Sequence, residues 1–196
     1  LPFKSRSGAD HRCGECISAP KNFRIARAPL IYEQILTKVI HCFKYRGKVQ
    51  LEKPLAKILL TAFSLLWAGD SIDMILPVPL HLKRFRQRGF NQAYMLVRSW
   101  NKIAGRYPHF QNGFQIERDL LVRPRETAPQ AALGRVKRGD NIKNAFDIVD
   151  RGRVVDKRIL LVDDIYTTGA TVNECARLLL DNGARFIDVL TLARAV

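Results

Sequence analysis

Ile159-Leu160-Leu161-Val162-Asp163-Asp164-Ile165-Tyr166-Thr167-Thr168-Gly169-Ala170-Thr171 is the stretch on which the reading of this chain turns. Its apolar start, Ile159 to Val162, predicts a strand buried on both faces. Two carboxylates follow at the carboxyl end of that strand, where open α/β sheets bind their ligands. Thr167 to Thr171 then open directly into a helical pattern, Val172, Ala176, Leu179 and Leu180, stopped by Asn182-Gly183. Small residues let backbone approach an anion, three hydroxyls can donate to it, and a helix N-terminus adds N–H groups and partial positive charge. The segment reads as a phosphate cradle. Asp163 and Asp164 would repel phosphate; they suit ribose hydroxyls, as acceptors, or a hydrated Mg²⁺. Any short fragment of the stretch could be a polar loop or a helix cap. The order strand, acids, cradle, helix carries the reading. Neither G-x-x-x-x-G-K-[ST] nor G-x-G-x-x-G occurs, so a P-loop ATPase or a Rossmann dehydrogenase is unsupported.

Outward from this stretch the pattern alternates. Ile31, Ile35, Val39, Ile40 and Phe43 predict a helix ending near Gly47, and Leu51 to Leu66 a second ending near Gly69. Ile72 to Val78 reads as a buried strand stopped at Pro77-Val78-Pro79. Ala93, Leu96, Val97, Trp100 and Ala104 mark one helix over about 90–105. Leu120 to Val122 and Ala145 to Val149 are strand-like, and residues 123–144 between them read as a long loop running into a short helix. Phe186 to Leu192 is a last strand. Strands alternating with helices predict an α/β fold: a mostly parallel twisted sheet flanked by helices on both faces.

Composition bounds the partners. The chain has 196 residues, with 33 Lys+Arg against 18 Asp+Glu, a formal charge of +15. Such an excess points to an anionic partner: phosphate, nucleotide, nucleic acid or an acidic membrane surface. With 47% hydrophobic residues the composition is not that of a disordered chain. No apolar run approaches the ~20 residues of a membrane span. The first residues contain no apolar signal-peptide core, and the four cysteines are too scattered for a disulfide scaffold. A reduced, cytoplasmic setting is expected. A start at Leu1 rather than Met predicts a missing upstream segment.

The stretch Leu161 to Thr171 resembles the phosphoribosyl-pyrophosphate (PRPP) motif of type I phosphoribosyltransferases. Further segments narrow the resemblance to the competence-associated ComF family. They are Phe43-Lys44-Tyr45-Arg46-Gly47, Leu76-Pro77-Val78-Pro79-Leu80, Arg88-Gly89-Phe90-Asn91-Gln92-Ala93, Thr127-Ala128-Pro129-Gln130 with Leu133, and Asn141 to Phe146. They run in family order across nearly the whole chain, and Arg-Gly-Phe-Asn-Gln-Ala is the part most specific to ComF. The resemblance implies a type I phosphoribosyltransferase fold over 26–196 and an N-terminal zinc-ribbon remnant over 1–25. It implies that Asp163 and Asp164, as the catalytic acids, contact the ribose hydroxyls, and that Thr167, Thr168, Gly169, Ala170 and Thr171 hold the 5′-phosphate. Val78, Pro79 and Leu80 fall at the pyrophosphate loop. Such loops often hold a non-prolyl cis peptide; Pro79 lacks an N–H, and a cis bond before it would cost far less. Residues 123–140, with Thr127, Gln130 and Arg135, fall at the flexible loop that closes over the site. Mg²⁺ accompanies PRPP. Partners implied are PRPP and, through competence, single-stranded DNA or the DNA-uptake machinery, with a homodimer and peripheral attachment at the inner membrane as further expectations. The resemblance supplies no acceptor base, and a non-catalytic PRPP sensor or a DNA-handling factor is the alternative to an enzyme.

Two features remain open. Lys83, Arg84, Arg86, Arg88, Arg98, Lys102 and Arg106 form a basic stretch without acids. Arg98, Lys102 and Arg106 share one helix side and read as a solvated face. Arg88 is better placed for pyrophosphate oxygens, where a guanidinium binds two at once, and a nucleic-acid surface stays open. Cys13 and Cys16 are half a zinc site, complete only with ligands upstream. Cys42 and Cys175 read as small core residues, and His41, His81 and His109 receive no role.

Overall fold

The computed structural model describes residues 20–45, 48–68, 71–104, 114–127 and 141–195. Cys13, Cys16, Arg106, His109, Gln130 and Arg135 lie outside them. In chain order the elements are β1 (Ala26–Arg27), β2 (Leu30–Ile31), α1 (Gln34–Tyr45), α2 (Glu52–Leu66), β3 (Met74–Pro77), α3 (Leu82–Arg88), α4 (Gln92–Val97), α5 (Trp100–Ala104), β4 (Leu121–Val122), β5 (Asp147–Ile148), β6 (Arg158–Tyr166), α6 (Ala170–Asp181) and β7 (Phe186–Arg194). The main sheet has the order β1-β7-β6-β3, β2 also pairs with β7, and every pairing in it is parallel. β4 and β5 form a separate antiparallel pair. This is the α/β architecture, a mostly parallel sheet flanked by helices, that the resemblance implies.

β6 shows why its apolar run must be buried on both sides. Successive strand residues point to opposite faces. Ile159 and Leu161 join the cluster under α6, with Val172, Cys175, Ala176 and Leu179. Leu160 and Val162 join the cluster under α1, α2 and α4, with Phe43, Leu59, Phe63 and Leu96. All four side chains are fully buried.

Several expectations change in detail. The strand predicted over 159–162 continues to Tyr166, because β7 goes on pairing with it through Asp163↔Thr191 and Tyr166↔Arg194. Hydropathy sees side chains, whereas the ladder is made by backbone. The single helix expected over 90–105 is two, α4 and α5, broken after Val97. The basic cluster ahead of it is itself a helix, α3, with Gly89 at φ 80° as its left-handed stop. Arg98 is exposed, as expected, but it is not simply solvated. Its guanidinium makes a bidentate pair with Glu52, a 5% exposed carboxylate at the start of α2, and so ties α4 to α2. The described residues contain no cis peptide, so the bond before Pro79 is trans. Cys175 is buried and Cys42 half-buried, both as free thiols. Among the described residues no helix is long and apolar enough to cross a membrane.

Candidate functional site

Where β3 stops, β6 continues. The ladder between them ends at Pro77↔Val162, and the Val78 N–H donates to the Val162 carbonyl at 2.8 Å. Beyond that point Asp163 and Asp164 lose their β3 neighbour and border a cavity of about 690 Å³. The loop after β3 (Val78, Pro79, Leu80), the turn after β6 with the start of α6 (Thr167, Gly169, Ala170, Thr171) and Arg88 of α3 line the same cavity. The residues singled out in the sequence are therefore brought together at the carboxyl end of the sheet. Thr168 differs: its hydroxyl accepts from the Ala170 N–H at 3.4 Å and serves the first turn of α6.

The turn between β6 and α6 is shaped by Gly169. It stands at the N-cap of α6 with φ 72°, where an L side chain is strained, and a Cβ there would run into the Tyr166 ring. Without a side chain it makes no cap of its own; Thr168 reaches the Ala170 N–H only at 3.4 Å, and a helix N-terminus of this kind favours an anion through its N–H groups and dipole.

The two acids are adjacent in sequence but point to opposite faces, so they have different neighbours. Asp164 faces α1, where Lys44 Nζ lies 2.6 Å from its Oδ2. Asp163 faces α6 and the end of β4, near Cys175 and Arg123, and its Oδ1 accepts from the Asp164 N–H at 2.8 Å. Burial, and then the neighbouring Asp164 charge, raise the Asp163 carboxyl to about 7. Burial also pushes the Cys175 thiol well above its usual range, with Asp163 adding to the shift.

Sequence reasoning missed Lys44, although it lies in one of the quoted motifs, and it missed the part played by Arg84 and Arg123. Arg123 is 8% exposed. It donates to the Thr127 hydroxyl, stacks over Phe146 and keeps Nε buried without a hydrogen-bond partner. Burial, then the charge of Arg84, lower it to about 10. Arg84 donates to the Thr127 carbonyl at 3.2 Å, and its own pKa is lowered by burial and by Arg88. Thr127, expected in a closing loop, is buried between these two guanidiniums and is not part of the cavity wall. Arg88 donates to Gln92 Oε1 and to the Tyr45 hydroxyl, both at 2.9 Å. The signal available for Lys44 was its place within the Phe43 to Gly47 motif; Arg84 and Arg88 stood in the basic stretch already noted, and nothing local marked Arg123. His81 has a structural part: its ring caps α3 by accepting from the Lys83 N–H at 3.3 Å.

No group of three or more His, Cys, Asp or Glu among the described residues could hold a metal ion. The donor set at Asp163 and Asp164 fits a Mg²⁺ only if the ligand's own oxygens complete its shell, since Mg²⁺ wants six oxygens.

No protein-family model matches the chain. It is 32% identical to the DNA utilization protein YhgH of Escherichia coli over 94% of this chain and 78% of that protein. It is 30% identical to competence protein F of Haemophilus influenzae over the whole chain and 86% of that protein. Competence protein ComFC of Streptococcus pneumoniae is 29% identical over 86% of this chain and 67% of that protein. Among solved structures it is similar to the allosteric regulatory enzyme of purine biosynthesis, with TM-score 0.39 and 20% identity over 72% of this chain and 25% of that one. The phosphoribosylpyrophosphate synthetase of Mycobacterium smegmatis gives TM-score 0.36 and 15% identity over 70% and 33% of the two chains. With relatives of this identity matched along most of their length, the chain belongs to the ComF family.

Proposed function

We propose that this chain binds PRPP across the cavity and acts in the handling of DNA taken up by the cell. The 5′-phosphate sits at Thr167 to Thr171 and the start of α6, the ribose hydroxyls at Asp163 and Asp164, and the pyrophosphate along Val78 to Leu80 and Arg88. The observation that carries this reading is the meeting of the acids, the helix start at Gly169 and the loop after β3 around one cavity. The setting rests on the family, whose members include proteins named for competence and DNA utilization.

In the enzymatic form of the reading, a nitrogen lone pair forms the bond to the ribose C1. The C1–oxygen bond to pyrophosphate breaks, its electron pair leaves on the pyrophosphate oxygen, and the nitrogen then gives up its proton. Mg²⁺ bound to the ligand's phosphates would supply positive charge against the leaving group. The protein's share is to fix the sugar by its hydroxyls, hold both phosphate ends and offer a carboxylate near the positive charge that grows on the ring. Titration of PRPP with Mg²⁺ in a calorimeter tests the reading: binding is expected, and no heat up to millimolar ligand overturns it. PRPP-dependent pyrophosphate release, abolished by Asp163→Ala with Asp164→Ala, marks an enzyme. Binding without release marks a PRPP sensor.

A second reading has its own observation. Lys83 and Arg86 on α3 are exposed beside the cavity and fit a nucleic-acid backbone. Single-stranded DNA binding with a steep salt dependence, lost in Lys83→Glu with Arg86→Glu, supports it. Survival of binding in that variant places the DNA surface elsewhere.

A further inference from the structure

Lys44 stands in the last turn of α1, where the free carbonyls of a helix favour a cation. Its side chain is 16% exposed and reaches Asp164, itself 11% exposed, at 2.6 Å. An ammonium has three N–H donors. Among the described residues the ion pair with Asp164 is the one polar contact that Lys44 makes. It also lines the cavity. A nearly buried ammonium with unused donors is costly unless something with acceptor oxygens fills the space beside it. The chemistry it fits is that of an oxyanion or hydroxyl placed against Asp164.

We propose that Lys44 is the protein's own cation at the acid pair. It keeps its bond to Asp164 when the site is filled and gives its remaining N–H groups to oxygens of the sugar phosphate. The ribose end is then held without a divalent ion on Asp164, and any Mg²⁺ is needed only by the pyrophosphate end. This rests on the sugar-phosphate reading above and adds to it the residue that makes one half of the ligand metal-independent. An ammonium suits this place because it supplies one charge and three directional donors without the octahedral shell that Mg²⁺ demands.

The experiment is calorimetry on the full chain with two probes: ribose 5-phosphate in EDTA, and PRPP with Mg²⁺. The proteins are the wild type, Lys44→Met and Lys44→Arg, each checked by thermal melting. Wild type is expected to bind both probes. Lys44→Met is expected to lose about tenfold or more in affinity for ribose 5-phosphate, the scale of a hydrogen-bonded charge. Lys44→Arg is expected to stay within about threefold, because its fork still reaches Asp164, a rescue that a space-filling role for Lys44 does not predict. Equal binding of ribose 5-phosphate by wild type and Lys44→Met overturns the proposal. So does a wild type that binds PRPP with Mg²⁺ but no ribose 5-phosphate in EDTA, an outcome that leaves the PRPP reading standing. A wild type that binds neither probe removes the PRPP reading itself. Should Lys44→Met melt too early to titrate, Lys44→Gln takes its place with the same expected loss.

Discussion

Asn91 Nδ2 donates to the Val78 carbonyl at 3.0 Å, while Asn91 Oδ1 accepts from the Ala93 and Tyr94 N–H groups at 2.9 and 3.4 Å. One amide thus caps α4 and holds the loop that follows β3. This gives the Arg-Gly-Phe-Asn-Gln-Ala motif a physical reason. Gly89 ends α3, Phe90 packs 5.6 Å from Phe43, and Asn91 starts α4 with its side chain turned to the loop. Asn91→Ser keeps a capping oxygen but is too short to reach Val78. Asn91→Ala loses both functions. Chemical denaturation is expected to show a loss of about 1 kcal/mol for Ala and a few tenths for Ser. PRPP affinity is expected to fall in both. A Ser variant with wild-type affinity would separate the motif from the loop.

Gly169 tests the cradle. Alanine there meets two penalties, a left-handed backbone and a collision with Tyr166. Tyr166 cannot simply swing away, being 8% exposed, set edge-on to Phe23 and covered by the Arg194 guanidinium. Gly169→Ala is expected to cost about 2 kcal/mol or more, the strain alone being about 1. Asparagine tolerates the left-handed region better. If Gly169→Asn is as destabilised as Gly169→Ala, the collision dominates. If asparagine recovers most of the stability, the backbone conformation was the larger cost.

The contrast with what the sequence showed is instructive at Asp188. This carboxylate is wholly buried near the start of β7. Arg24 grips it through Nε at 3.0 Å and Nη2 at 2.7 Å, and the Trp67 indole N–H donates to it at 2.7 Å. The partners lie 164 and 121 residues away in the chain. No local pattern reports pairings of that range, so β7 was legible as a strand while its buried charge was not. The same holds for Lys44 with Asp164 and Arg98 with Glu52. By contrast, the order strand, acids, cradle, helix is contiguous, and so the site's floor could be read directly. Its walls come from α1, α3 and the end of β4, which only the tertiary structure brings there.

The Asp188 cluster yields its own prediction. Trp67→Phe removes a hydrogen bond to a buried charge and is expected to cost about 1–3 kcal/mol. Arg24→Leu strips the carboxylate of the guanidinium paired with it and is expected to cost more, about 3–5 kcal/mol. Both are read as midpoints of urea unfolding. Equal, small losses would mean that water reaches Asp188 in solution.

Asp163 predicts how the free protein responds to pH. Its carboxyl is raised from an unfolded value near 4 to about 7. Between those values the folded chain holds a proton that the unfolded chain has lost. Unfolding then releases that proton, so this group's contribution to stability falls as pH rises from about 4 to about 7 and is flat above. Asp163→Asn, which keeps the shape and cannot ionise, is expected to flatten that window. Above pH 7 it should make the free protein more stable, on the order of 1 kcal/mol or above. Affinity for PRPP should move the other way. An ionised carboxylate accepts from ribose hydroxyls with both oxygens, whereas the amide offers one acceptor oxygen and two donors. Melting curves from pH 4 to 8, with and without PRPP and Mg²⁺, read both effects in one series. If the slope of the free protein persists in Asp163→Asn, the proton belongs to another group. If the slope disappears but PRPP still raises the melting temperature as in wild type, Asp163 is a half-buried acid that the ligand does not touch. Loss of both together would mean that the raised carboxyl is kept at a cost in stability because the sugar needs it.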